Sequence, residues 1–121
     1  MSDPRRGLGQ RGEELAVQAL KRQGYEIMAR NWRCAVGEID VVARHGDELV
    51  IVEVRTRRGY RFGMPEDSIT STKQAKLVEL GYTYVGETGW EGPWRIDVVA
   101  VQMDQRGHLE RITVLPNAIE G

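Results

Sequence analysis

The chain has 121 residues, a formal net charge of −1, 40% hydrophobic residues and 29% charged ones. That length suits one globular domain burying somewhat over about 60% of its unfolded surface, and the near-zero charge excludes a global field that would draw the molecule onto nucleic acid, so any basic surface must be local. A single cysteine, Cys34, excludes an internal disulfide and fits a reducing, cytoplasmic setting with a packing role for the thiol. The opening MSDPRRGLG lacks the apolar segment of a secretory signal, and no apolar run approaches the ~20 residues of a membrane span.

Residues 1–7 are polar and basic and are expected to fray. From about Leu8 a helical pattern runs through Leu15, Ala16, Ala19 and Leu20, with Gly24 placed as its C-cap. Gly9 and Gly12 weaken this helix and suggest close approach of another backbone. Tyr25–Arg33 reads as a first strand, followed by two β-rich runs, Glu38–Arg44 and Glu48–Thr56, around His45-Gly46-Asp47. Gly-Asp between such runs is a type II′ hairpin signal, with glycine supplying the positive φ. Thr56–Thr70 is irregular, with Gly59, Gly63 and Pro65 beside Arg57, Arg58 and Arg61, and reads as an exposed basic loop. Ser71 or Thr72 can cap a second helix reaching about Val85. Arg95–Met103 and Leu109–Leu115 complete the strands. Asp97 reads as structural because no second acid accompanies it, and neither His45 nor His108 has metal-ligand spacing.

Counting outward from Gly46-Asp47 sets a register. Arg44 faces Leu49, Val42 faces Ile51, Asp40 faces Glu53 and Glu38 faces Arg55. Alternation puts Ile39, Val41, Ala43, Val50, Val52 and Val54 on one core face. The other face turns ionic with Asp40, Glu53, Glu38 and Arg55. Two carboxylates directly opposite on a half-buried sheet repel, with Cβ atoms about 4.5–5.5 Å apart. Such a pair is either neutralised by cations, for which Arg55 forking onto Glu53 and Glu38 would suffice, or it holds a hard divalent ion.

Asp40, twelve intervening residues and then Glu53-Val54-Arg55 resembles the PD-(D/E)XK nuclease signature. The flanks resemble the YraN-type predicted endonucleases, relatives of archaeal Holliday-junction resolvases. The matching segments are Arg11-Gly12-Glu13-Glu14-Leu15-Ala16, Gly24-Tyr25, Arg30-Asn31, Gly37-Glu38-Ile39-Asp40, Val52-Glu53-Val54-Arg55-Thr56-Arg57, Thr72-Lys73-Gln74, Arg95-Ile96-Asp97-Val98-Val99 and Pro116-Asn117-Ala118. The resemblance implies a restriction-endonuclease-like αβββαβ core and a Mg²⁺ or Mn²⁺ cofactor. The implied ligands are Asp40 and Glu53, with the Val54 carbonyl assisting and Glu13 as third carboxylate. By itself Glu13 would more often be a solvated or capping acid near a helix start. Lys73 and Gln74 gain a phosphate- or water-contacting role from the resemblance, where a solvated helix face is the default. The signature's usual terminal Lys is here Arg55. Arginine stays charged, so it can stabilise developing negative charge and cannot act as a base.

The expected architecture is α/β, a mixed five-stranded sheet flanked by helices, with the third and fourth strands parallel across the long crossover. The expected function is metal-dependent hydrolysis of phosphodiester bonds in DNA, branched DNA included. Asp40, Glu53, Glu13 and Arg55 form the catalytic set. Arg57, Arg58, Arg61, Lys73, Gln74 and Lys76 form a phosphate-binding rim blind to base sequence. No membrane partner is expected, and a homodimer is left open. The rival expectations are a catalytically weak or inactive nucleic-acid-binding module of the same fold, and a purely structural domain.

Overall fold

The computed structural model describes residues 4–61 and 63–119, with side chains from residue 7 onward. Helix α1 (Pro4–Arg22) leads into strands β1 (Glu26–Arg33), β2 (Glu38–His45) and β3 (Glu48–Arg58). A 3₁₀ turn, Pro65–Ser68, precedes α2 (Ser71–Thr88), and β4 (Trp94–Met103) and β5 (Leu109–Ile119) follow. The protein is α/β. Its five strands form one mixed sheet in the order β1-β2-β3-β4-β5, antiparallel except for the parallel β3–β4 pair.

The pattern of apolar residues explains the layers. Along β3, Val50 and Val52 meet Ala16, Val17 and Leu20 of α1, whereas Leu49 and Ile51 meet Leu77, Leu80 and Tyr84 of α2. Strand residues alternate faces, so an unbroken run such as Leu49–Val52 is buried on both sides, one helix covering each. Gly12 lies where α1 crosses β3; a Cβ there would collide with the Thr56 side chain. Gly81 of α2 lies against the Trp94 ring in the same way. Gly9, by contrast, has open space around it, so only Gly12 fulfils the expected close approach, and it meets a side chain.

Several boundaries differ from those expected. The helix α1 begins at Pro4, a turn before the helical pattern, and the expected fraying of residues 1–3 lies outside the described residues. Thr70, not Ser71 or Thr72, caps α2, its side chain accepting from the Lys73 N–H at 3.2 Å. That helix runs on to Thr88 and stops at Gly89, whose φ of 72° is left-handed. Strand β3 continues through Thr56–Arg58, because its parallel pairing with β4 holds as far as Arg58 and Met103. The expected loop is correspondingly shorter.

The hairpin is as expected: Val42 faces Ile51, Arg44 faces Leu49 and His45 faces Glu48, and at the turn Gly46 alone takes positive φ. The β2–β3 ladder ends at Val41 and Val52, however, while β1–β2 pairing goes on to Arg33 and Glu38. Beyond Val41 the end of β2 therefore follows β1 and leaves β3. Ile39 consequently joins the α2-side core, where alternation from Val41 puts it on the α1 side.

Candidate active site

The strands part at Asp40. Its Oδ2 accepts a 2.9 Å hydrogen bond from the backbone N–H of Val54, one residue past Glu53. The two acids are thus held at the mouth of a fork whose closed end is apolar. Glu53 is buried, at 6% exposure, and Asp40 is half-buried. Asp40 is pushed up to about 7, first by burial, then by the negative charge of Glu53 and a carboxyl–carboxylate hydrogen bond to it. The Val54 N–H and the Lys73 charge oppose that rise and do not cancel it. In this state the pair is stabilised by holding a proton.

Among the described residues two cations reach Glu53. Lys73 Nζ, from the first turn of α2, lies 3.4 Å from Oε2, and Arg55 Nη1 lies 3.9 Å from Oε1. The rest of the Arg55 guanidinium is directed elsewhere: Nε donates to Ser68 Oγ at 2.8 Å and Nη2 to the Ser68 carbonyl at 3.1 Å. Ser68 Oγ in turn donates to the Pro65 carbonyl at 2.7 Å. Arg55 therefore fastens the 3₁₀ turn to the sheet and only grazes Glu53. Its expected fork onto Glu38 is not formed, for Glu38 pairs with Arg33 at 3.3 Å. The physical cause is the same parting of β2 from β3.

Glu13 comes from the opposite layer. It lines, with Asp40, Val54, Thr56, Arg57, Leu8 and Gly9, a cavity of about 350 Å³ between α1 and the fork. Its Oε1 accepts from Asn31 Nδ2 at 3.0 Å and Arg30 Nη2 at 3.3 Å. Burial, followed by the charge of Asp40, nevertheless holds its carboxyl above the ordinary range. Asn31 reaches it from a left-handed backbone, φ 53°, a conformation asparagine tolerates better than most residues. Among the described residues no three potential ligands gather closely enough to cage an ion. What the fold supplies is a two-carboxylate mount, Asp40 and Glu53, with Glu13 across the adjoining cavity. Two hard oxygen donors on facing strands suit Mg²⁺ or Mn²⁺, which keep several places for water and phosphate.

The expected rim is dispersed. Arg57 is half-buried at the end of β3, its Nε shut off from solvent and, among the described residues, without a hydrogen-bond acceptor. Arg58 is exposed and donates to the Gln105 carbonyl at 3.0 Å. Arg61 is exposed in the following loop, and Lys76 is exposed on α2. Gln74 Nε2 donates to the Ile69 carbonyl at 3.3 Å, closing the start of the helix.

A second polar cluster was not foreseen. Asp97 is fully buried and accepts from Tyr25 Oη (2.6 Å), Arg95 Nε (2.9 Å) and the Asn117 N–H (2.8 Å). Arg95 also reaches Glu48 at 2.8 Å and His45 Nδ1 at 3.0 Å, and the His45 ring stacks on Tyr25 at 4.1 Å. A signal was present, since Arg95 and Asp97 are two apart on a strand and so share a face. Asp97 is structural, as expected, though its partners come from three segments.

Residues 12–101 match the model of an uncharacterised protein family, UPF0102. The chain belongs to that family. A UPF0102 protein of Roseiflexus castenholzii is 48% identical over 122 residues, covering 99% of this chain and 98% of the relative. One from Caldicellulosiruptor saccharolyticus is 43% identical, covering 94% and 98%. One from Symbiobacterium thermophilum is 44% identical, covering 93% and 96%. The UPF0102 match agrees with the YraN-type resemblance of the sequence segments. Among the described residues no helix is long and apolar enough to cross a membrane.

Proposed function

We propose that this UPF0102 protein is a metal-dependent nuclease of the PD-(D/E)XK type that hydrolyses phosphodiester bonds in DNA, branched DNA included. The observation that carries this reading is the Asp40–Glu53 pair, two acids held together at a strand fork, with Asp40 raised towards protonation by burial and by the charge of Glu53. A fold keeps such a destabilising pair where a cation is to be bound. When bound by Asp40 and Glu53, a Mg²⁺ or Mn²⁺ ion supplies polarisation of the phosphoryl oxygen and of the attacking water. Hydrolysis adds the water oxygen to phosphorus and breaks one P–O ester bond; one water proton ends on the leaving alcohol and the other in solvent. Glu13, across the cavity, is placed to orient that water or complete the ligand set. Arg58, Arg61 and Lys76 hold flanking phosphates without reading bases, so substrates are chosen by shape. Residence in the reducing cytoplasm accords with the lone Cys34.

A cleavage panel of single-stranded, duplex, flap and four-way DNA with Mg²⁺ and Mn²⁺ tests the proposal. Metal-dependent cutting by the wild type, abolished in Asp40→Asn, is expected. Cutting that survives Asp40→Asn would remove the pair from the chemistry. One observation favours the weak or inactive binding module: Arg55, at the position of the signature lysine, gives two of its three nitrogens to Ser68. On that reading the panel shows salt-sensitive binding and no cutting.

A further inference from the structure

We infer that Lys73, not Arg55, is the cation of the candidate active site: a tethered ammonium that neutralises the carboxylate pair in the metal-free protein and contacts the substrate phosphate when a metal takes its place. This assignment rests on the nuclease reading above. Three observations carry it. Lys73 Nζ is nearer to Glu53 than any Arg55 nitrogen, 3.4 Å against 3.9 Å. Arg55 is a poor candidate for a moving charge, because its planar fork is spent on Ser68 Oγ and the Ser68 carbonyl. The Lys73 side chain keeps 36% of its surface exposed, and among the described residues Glu53 is the acid paired with it.

The chemistry follows from the two side chains. Arginine delivers bidentate, directional contacts and loses its use when its fork is engaged. Lysine is a point charge on a flexible stem, able to swing from Glu53 to a phosphoryl oxygen without rebuilding a hydrogen-bond geometry. Its base is fixed: the Lys73 N–H is held by Thr70 Oγ1, and the Gln74 N–H by the Thr70 carbonyl. The swing is therefore a side-chain motion over the fork, with the helix start as anchor. Arg55 seats the 3₁₀ turn that leads into this helix and so acts as a positioning residue for Lys73.

Two readouts test the assignment. In the first, melting temperature is followed against Mg²⁺ and Mn²⁺ for wild type, Lys73→Ala and Lys73→Arg. Removing the ammonium leaves the pair uncompensated, so metal-free Lys73→Ala melts below the wild type. The added ion no longer competes with a tethered charge, so its stabilising shift is larger than in the wild type. Lys73→Arg restores the metal-free melting temperature. In the second, cleavage by Lys73→Ala falls on the order of a hundredfold and is partly recovered by Lys73→Arg. Lys73→Ala that matches the wild type in its metal response overturns the assignment whatever the substrate. So does undiminished cleavage by Lys73→Ala beside an inactive Asp40→Asn, which leaves the nuclease reading standing. A wild type with neither metal response nor cleavage overturns both.

Discussion

Two acids in this molecule, Asp97 buried and Asp40 half-buried, have opposite surroundings. Asp97, at the hairpin-turn end of the sheet, takes hydrogen bonds from a phenol, a guanidinium and a backbone N–H, and its charge is balanced by Arg95. Its neighbours feel it in return: burial and then the bond to Asp97 push the Tyr25 phenol up to about 12, and the Arg95 guanidinium is held above its ordinary range. Asp40, at the forked end, takes one backbone N–H and faces a second acid. The first arrangement is closed. The second has its cations, Lys73 and Arg55, on the Glu53 side and opens on a cavity shared with Glu13. Burial alone does not mark a functional acid; the balance of donors and charge around it does.

That contrast can be broken by substitution. The largest effect is expected at the closed cluster, where Asp97→Ala strands Arg95 beside a buried Tyr25 and should lower stability by about 3–5 kcal/mol, read from urea unfolding. A loss below about 1 kcal/mol would show that Asp97 is not the centre of its cluster. The corresponding change at the fork acts on chemistry. Asp40→Asn should cut metal-dependent cleavage by at least about a hundredfold, equivalent to roughly 2.7 kcal/mol of barrier.

Tyr25→Phe removes one donor to Asp97 and should destabilise by about 1.5–3 kcal/mol, the range for hydrogen bonds to charged groups. The acid dependence sharpens the comparison further. The Asp40 carboxyl is raised in the folded state, from 3.8 to about 7, so the native protein holds a proton that the unfolded chain has released. The stabilising effect of that proton is complete below about pH 4 and is lost as pH climbs through about 7. Metal-free stability should thus carry a downward component between those values, at most about 1.4 kcal/mol per pH unit for one proton. Asp40→Asn should abolish that component, and an unchanged pH profile in the variant would show that Asp40 ionises freely. At pH 8 without metal the same variant should be neutral or stabilised by up to about 1 kcal/mol, through relief of repulsion. The smallest effect belongs to the rim. Arg58→Ala and Arg61→Ala should each reduce the slope of log K against log salt for DNA binding by about one unit; an unchanged slope in the double variant would take this loop off the DNA surface.

Much of the site could be read from the chain alone, for a definite reason. A two-residue turn fixes an antiparallel register, so Gly46-Asp47 was enough to pair Val42 with Ile51 and to bring Asp40 near Glu53, although the ladder itself stops one pair short of them. Alternation and apolar runs likewise determined five strands between two helices, and with them a sheet buried on both faces. What depends on packing between distant segments was not written in any local pattern. Only the tertiary structure decided that β2 follows β1 beyond Val41, which moves Ile39 to the α2 side. Only it brought Lys73 to Glu53, turned Arg55 onto Ser68, and gathered Tyr25, His45 and Arg95 around Asp97. Side-chain spacing within an element is set by backbone period; contact between elements is set by how their apolar faces close on one another, and the polar residues at those seams take whatever partners that closure delivers.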